Sequence, residues 1–438
     1  MSDARPEMRA APSPATPQKP WDLYTGRQRG TFLFVLFLVG TSNYVDRNII
    51  GVLLEPIKNE FQVSDTMLGL LSGISFALFY ATLGIPVARW ADRGDRRFII
   101  TLALTIWSVM TALCGMAQNF WQLALARVGV GAGEAGAIPP AQSLIADYFP
   151  PDGRSKAIGI YMMCSMAGYV LGLVAGGWIA QNYGWRAAFL IVGLPGLLLA
   201  ILTRFLIKEP RHLPQFAIRA DSQESVMATF RALFEKPSYR NIIYAMVLYF
   251  LMAYGALVFT SSFMIRVHGL TIAEAGGLFG TMSAIGAVIG NLAGGIWTDR
   301  LAKRDIAWTA RLPGWGLMIA LPLYWGAFLA PSVPLMAGIL LIASIVLTGV
   351  IPPMFSALHL VCGTSRRAMA VAIAFFFANL IGLGLGPIIA GSLSDWFAQS
   401  HGPGDGLRYA LMIVMVVFVP SGFFMLRAAR TLRADMED

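Results

Sequence analysis

Stretches of about 20 apolar residues recur twelve times in this 438-residue chain, near 31–54, 66–88, 98–117, 121–146, 157–181, 186–207, 241–266, 273–297, 309–331, 334–361, 368–396 and 406–428. At roughly 1.5 Å of rise per residue, each can cross a hydrocarbon layer of about 30 Å. In that solvent a segment must satisfy its backbone polar groups internally, which leaves helices or a closed barrel, and segments of this length fit only helices. The predicted fold class is therefore an all-α polytopic membrane protein with twelve transmembrane helices, numbered here as spans 1 to 12. A composition of 56% hydrophobic and only 13% charged residues agrees, because a single soluble core would not need so much apolar sequence.

The net charge of +9 would suggest nucleic acid as a partner of a soluble protein. Its distribution excludes that reading. Of the 33 Lys and Arg, 27 fall in the tails and in the loops after even-numbered spans. The odd loops hold only Lys58, Arg186, Arg266 and Arg408, and Arg47 and Arg127 lie inside spans. The positive-inside rule then places both termini in the cytoplasm, in a bacterial inner membrane by expectation. Residues 1–30, rich in Pro, Ala and Ser at their start, read as a disordered cytoplasmic tail. Cys114, Cys164 and Cys362 form neither a CxxC pair nor a ligand cluster, so no metal site is expected.

The longest even loop, 208–240, divides the chain into bundles at 31–207 and 241–428, with a cytoplasmic tail at 429–438. Within it Val226, Phe230, Leu233 and Phe234 repeat at helical spacing among Arg231, Glu235 and Lys236, which predicts an amphipathic helix on the membrane surface. The division is marked by a repeat. Ala88-Arg89-Trp90-Ala91-Asp92-Arg93 followed by Arg96-Arg97 recurs as Gly295-Ile296-Trp297-Thr298-Asp299-Arg300 followed by Lys303-Arg304, each copy after the second span of a half. This pattern resembles motif A of the major facilitator superfamily, although Ala88 and Asp95 replace its glycines in the first copy. Arg127-Val128-Gly129-Val130-Gly131-Ala132-Gly133 resembles motif B. Gly168, Gly172, Gly176 and Gly177 in span 5 have small-x-x-x-small spacing, with Leu173 where an antiporter motif would carry proline. The resemblance implies two six-helix bundles that rock about a central site, with Asp92, Arg93, Arg96, Asp299 and Arg300 forming a cytoplasmic gate.

Span 1 carries Asp46 and Arg47 deep within its apolar run, and span 4 carries Arg127 and Glu134 about two helical turns apart on one face, at depths that match Arg127 to Asp46. Charges so placed are expensive unless they pair or line a cavity, and they mark ion or substrate pathways. Asp46 and Glu134 are the proton-coupling candidates, because a buried carboxyl changes its proton affinity as an arginine approaches or withdraws. Arg47 and Arg127 are the candidates for charge pairing or for binding an anion through a planar fork of donors. A static ion-pair network is the plainer alternative. Asn43, Tyr80, His359 and Asn379 are further candidates for lining the cavity. Phe76, Phe79, Tyr249, Tyr254, Phe259 and Phe375 to Phe377 could add an apolar wall.

Asn43-Tyr44-Val45-Asp46-Arg47, together with Arg127, Gly131, Gly133-Glu134-Ala135 and Leu144-Ile145-Ala146-Asp147, resembles the Spinster family of the superfamily. That resemblance implies a secondary transporter of an amphiphilic anion such as a lysolipid or sphingosine phosphate, often coupled to protons, working in the lipid bilayer as a monomer. The same motifs also resemble the anion:cation symporters, which take up small carboxylates such as sugar acids. Leu383 follows Gly382 where Spinster proteins often carry an acid. An enzyme is not expected, since P-loop, HExxH and GxSxG patterns are missing from the sequence, and no cofactor is implied.

Overall fold

A computed structural model describes residues 19–210 and 226–437 as helices joined by short connections. Span 1 is α1 (Gly26–Phe61), and span 2 is α2 (Asp65–Ser72) followed by α3 (Ile74–Arg93). Span 3 is α4 (Arg96–Met116), span 4 is α5 (Phe120–Glu134) followed by α6 (Ile138–Tyr148), span 5 is α7 (Pro151–Tyr183) and span 6 is α8 (Trp185–Leu206). A linker helix, α9 (Val226–Glu235), precedes span 7, α10 (Pro237–His268), span 8, α11 (Ile272–Ala302), and span 9, α12 (Trp308–Leu329). Span 10 is α13 (Val333–Gly349) followed by α14 (Ile351–Val361). Span 11 starts as α15 (Gly363–Phe377), widens into a π-helical turn over Ala378–Leu383 and continues in α16 (Gly384–Met415), which bends at Gly402 into span 12, completed by α17 (Phe418–Asp435).

By length and composition alone, nine helical stretches among the described residues could cross a membrane. The stretch 369–435 divides at Gly402 into two spans. Span 1, diluted by Asn43, Asp46 and Arg47, and span 4, broken after Glu134, complete the predicted twelve. The exceptions are the two helices that carry the buried charges.

Local sequence sets where the helices begin. Ser64, Asp95, Asn119 and Thr271 cap α2, α4, α5 and α11 by accepting the backbone N–H of Met67, Phe98, Gln122 and Glu274. Pro151 and Pro237 occupy the first turns of α7 and α10, where their missing N–H costs nothing. Gly184, at a φ of 85°, permits the sharp reversal between α7 and α8.

The small-residue stripes act as contact surfaces. In α7, Gly168 and Gly172 meet the backbone of α1 at Thr41 and Val45, so spans 1 and 5 pack with little side chain between them. Two further stripes join the bundles. In spans 2 and 11, Gly69 lies against Pro387 and Gly73 against Gly384, while in spans 5 and 8 Gly276 lies against Leu173.

The linker helix forms where the spacing predicts it, but its apolar face is not turned to lipid. Leu233 is buried, Phe230 and Phe234 stack at 4.3 Å, and both rings approach Phe377 of α15. Lys236 reaches the Val361 carbonyl at 2.6 Å and ties the linker to the second bundle. Packing the Phe230 and Phe234 rings on Phe377 removes apolar surface from water. Residues 1–18 of the expected tail and residues 211–225 of the linker lie outside the described residues.

Adjacent glycines in α11 test the packing. A Cβ on Gly294 would run into the backbone of Gly349, whereas one on Gly295 would meet nothing within 4 Å. Gly294→Val is expected to cost about 1–3 kcal/mol and lower the melting temperature of the purified protein, whereas Gly295→Ala leaves it unchanged. Equal melting curves for the two variants would contradict this packing.

Candidate functional site

Span 1 delivers Asn43, Asp46 and Arg47 to the middle of the first bundle. Successive helical residues diverge by about 100°, so neighbours Asp46 and Arg47 point in different directions. Arg47 crosses to span 4, where its Nη2 and Nε donate to Glu134 Oε2 at 2.8 and 3.2 Å. The Arg47 side chain keeps 12% of its surface exposed, while that of Glu134 keeps none. Asp46 is fully buried and Arg127 nearly so. Arg127 Nη1 donates to the Asp46 backbone carbonyl at 3.2 Å, not to its carboxylate. The depth match between Arg127 and Asp46 therefore holds, but the ion pair joins Arg47 to Glu134.

Neither carboxylate oxygen of Asp46 accepts a hydrogen bond of ordinary geometry among the described residues. Its polar neighbours are Trp107 and Thr111 of α4. The sequence reading omitted both, although a Trp-Ser-x-x-Thr run inside an apolar span is a signal of a polar face at i, i+4 spacing. Glycines make room for this crowding: Gly131 lies against the backbone of Phe76 and Gly133 against that of Trp107.

An aromatic shell surrounds the exposed edge of the cluster. The Arg47 guanidinium lies 4.5 Å from the Tyr80 ring centre, 5.1 Å from Phe76 and 5.4 Å from Tyr44, with Tyr254 of span 7 within electrostatic reach. Rings at such distances attract a cation without neutralising it, so Arg47 can still accept an anion. Across the interface, Phe250 stacks on Tyr254 at 5.8 Å, and Phe375, 40% exposed, contacts Phe250 and Phe355. The first bundle thus offers charge and the second an aromatic wall.

Other expected residues lie elsewhere. Asn43 is 1% exposed, too buried to line a cavity, and belongs to the charge cluster beside Glu134. Tyr80 does line the cluster's edge. Asn379 sits half-buried in the π-helical turn of span 11, a distortion common at functional sites. His359 lies near the end of α14 beside Arg367, away from Arg47, because span 10 has already reached its terminal turns. Phe259 and Tyr249 are buried packing residues, and Phe377 serves the linker helix.

The expected cytoplasmic gate divides in the same way. Arg96 is completely buried within its own bundle, held by Glu209 at 2.5 Å and Asp147 at 2.6 Å, with Ser143 at 2.8 Å. It anchors the start of span 3 to the end of span 4 and to Glu209, just beyond span 6. Arg93, Asp299, Arg300 and Lys156 are exposed, as they would be on a face that stands open. The side chain of Asp92 lies outside those described.

The face opposite the termini is closed by a network that the sequence reading missed. Arg266, at the end of α10, donates to Asp65 at 2.6 and 2.7 Å and to Glu55 at 2.9 Å. Lys58 and Ser394 also donate to Asp65, each at 2.6 Å. Asp395 of span 11 accepts the N–H groups of Asp65 and Thr66 at 2.9 and 2.8 Å, capping the N-terminus of α2 from the other bundle. The signal was the rarity of cations in the odd loops. Two of the four, Lys58 and Arg266, belong to this network.

Residues 36–379 match the family model described as Major Facilitator Superfamily. An MFS-type efflux pump of Mycolicibacterium smegmatis is 32% identical over 98% of this chain and 99% of its own length. Protein spinster homolog 1 of Xenopus tropicalis is 26% identical over 93% of this chain and 82% of its own length. Among solved structures, a bacterial homolog of the human lysosomal transporter Spinster, in an inward-facing and unoccupied conformation, superposes with a TM-score of 0.86 at 33% identity, covering 95% of this chain and 100% of the other.

Removing Arg266 would leave the buried Glu55 without its cation and Asp65 with Lys58 as its remaining cation, and breaking a buried pair typically costs about 3–5 kcal/mol. Arg266→Gln is therefore expected to populate a state open at this face, read as a longer distance component between spin labels at Asn59 and Gln399. Arg408→Gln breaks only the Arg408–Asp405 pair within one bundle and leaves that distance unchanged. An unaltered distribution in Arg266→Gln would contradict the lock.

Proposed function

This chain belongs to the major facilitator superfamily, a family of membrane transporters and not of enzymes, and from that premise we propose that it carries an amphiphilic organic anion by proton-coupled alternating access. The observation that carries the reading is the split of the site. Arg47 is the one member of the charge cluster with an exposed edge, and it faces an interface whose other side is aromatic. A phosphate or carboxylate would take the guanidinium, and an acyl or sphingoid chain would lie along Phe250, Phe355 and Phe375. A lysolipid or a sphingosine-phosphate-like molecule has that form. A sugar acid would use Arg47 but leave the wall unfilled.

Coupling follows from charge balance. In the resting cluster Glu134 occupies Arg47 and Arg127 is the cation nearest Asp46. An incoming anion displaces Glu134, and the two carboxyls must then share Arg127. Two anions beside one cation in a low-dielectric site are unfavourable, so a proton is taken up. We assign that proton to Asp46, whose carboxylate has no competing donor of ordinary geometry, with Glu134 as the group whose displacement triggers uptake. Arg47 and Arg127 serve as anion-binding and pairing groups. The reading also places the termini face, rich in Lys and Arg, in the cytoplasm, with the protein acting as a monomer in the cell membrane.

Asp46→Asn is expected to abolish the pH dependence of transport in proteoliposomes while leaving the fold intact, and Glu134→Gln to weaken it. Wild-type pH dependence in the double variant would rule out coupling through this cluster. Substrate class is tested separately by thermal shift: lysolipids should raise the melting temperature, and Phe375→Ser should reduce that rise. Stabilisation by sugar acids alone, unaffected by Phe375→Ser, would favour the small-carboxylate reading.

A further inference from the structure

The geometry points to a binding site for an anionic phospholipid on the outer surface of the second bundle, between α10 and α17 at the face that carries the termini. A cleft of about 700 Å³ opens there, and its lining includes Arg240, Arg427, Arg430, Tyr244, Phe423 and Phe424. The site is distinct from the charge cluster of the first bundle, and it does not depend on what the protein transports.

The order of these residues along the membrane normal is that of a lipid. Helix α10 runs inward from the termini face, so Tyr244 lies about 6 Å deeper than Arg240. Helix α17 runs outward, so Phe423 lies about 6 Å deeper than Arg427 and about 10 Å deeper than Arg430. Three guanidinium groups therefore stand at headgroup level. Directly beneath them Tyr244 and Phe423 are 46% and 54% exposed, with Phe424 packed edge-on against Tyr244 at 5.5 Å. A phosphodiester at the arginines would lay its acyl chains over these rings.

The arginines are also available. Among the described residues no carboxylate forms an ion pair with Arg240, Arg427 or Arg430. Nearby acids are otherwise engaged: Asp435 accepts the Ser238 N–H at 2.8 Å, and Asp305 pairs with Arg311 and Arg433. Topology alone would account for cations that reach into water on this face. It does not account for three that frame one cleft above exposed aromatic rings, an arrangement suited to a phosphate headgroup and its tails.

The test uses the purified full chain and dioleoylphosphatidylglycerol, with dioleoylphosphatidylcholine and inorganic phosphate as comparison probes, read by native mass spectrometry and by thermal shift. The wild type should retain phosphatidylglycerol over phosphatidylcholine and be stabilised by it, while phosphate alone neither stabilises it nor displaces the lipid. Arg240→Gln/Arg427→Gln/Arg430→Gln should weaken retention about a hundredfold, and Arg427→Gln alone, in case the triple variant folds poorly, about fivefold. Arg204→Gln/Lys303→Gln/Arg304→Gln removes the same charge from the same face and should bind as wild type does. The proposal is overturned if both triple variants lose the lipid equally, if the cleft variants keep it, if the wild type shows no headgroup preference, or if phosphate alone reproduces the stabilisation.

Discussion

Two acids and two arginines held inside the first bundle are the constraint around which this protein is organised. Their burial costs several kcal/mol for each group left unpaired, so the long Arg47 side chain of span 1 must reach Glu134 of span 4 and stay in register with it. The glycines of span 4 let spans 2 and 3 close around the cluster, with Gly131 against the backbone of Phe76 and Gly133 against that of Trp107. Span 1 in turn leans on span 5 through Gly168 and Gly172, with little side chain between them. Satisfaction is incomplete even so. Arg47 and Glu134 have each other, whereas the Asp46 carboxylate, with Glu134 and Arg127 within electrostatic reach, forms no ion pair among the described residues, and Arg127 is directed at its backbone carbonyl. A cluster poised in this way has an arrangement to change into, which is what a transport cycle needs.

The two bundles meet at the face opposite the termini through two different contacts. Opposite the termini, charged groups from both bundles converge on Asp65, and Asp395 caps α2 from across the interface. The related contact of the second pair of spans is neutral, with Gln181 of span 5 accepting the Ala273 N–H at the start of α11, at 2.9 Å. The bundles remain in contact as far as Tyr169 beside Ser283 and Gly384 beside Ala77. Nearer the termini, Arg93, Asp299 and Lys156 are exposed. The related bacterial Spinster structure is described as inward-facing, and in this chain a rocking of the bundles would exchange the closed face for the open one.

The fold was legible in sequence because hydrophobic length and cation distribution are one-dimensional signals. The charge cluster was legible for a similar reason: an ionisable residue within an apolar span has few places to go. Its wiring was not. Which acid Arg47 meets depends on the angular separation of adjacent residues and on how spans 1 and 4 rotate against each other. The lock around Asp65 brings together residues more than 300 positions apart, which no local pattern encodes. Arg96 belongs to a motif that resembles a gate, while its side chain turns to Asp147 of its own bundle and to Glu209 at the start of the linker, a pairing between residues far apart in sequence. The π-helical turn at Asn379 coincides with close packing of Gly382 on the backbone of span 7 and has no sequence signature of its own.

The central claim is that an anion arriving at Arg47 releases Glu134 and draws a proton onto the cluster. Counting protons exchanged on binding tests it most directly. Calorimetric titration of the purified protein with a lysophospholipid, repeated in buffers of different ionisation enthalpy, separates proton uptake from binding itself. The account predicts net uptake by the wild type and binding without uptake by Asp46→Asn. Binding by the wild type with no proton exchange, or undiminished uptake by Asp46→Asn, would contradict it.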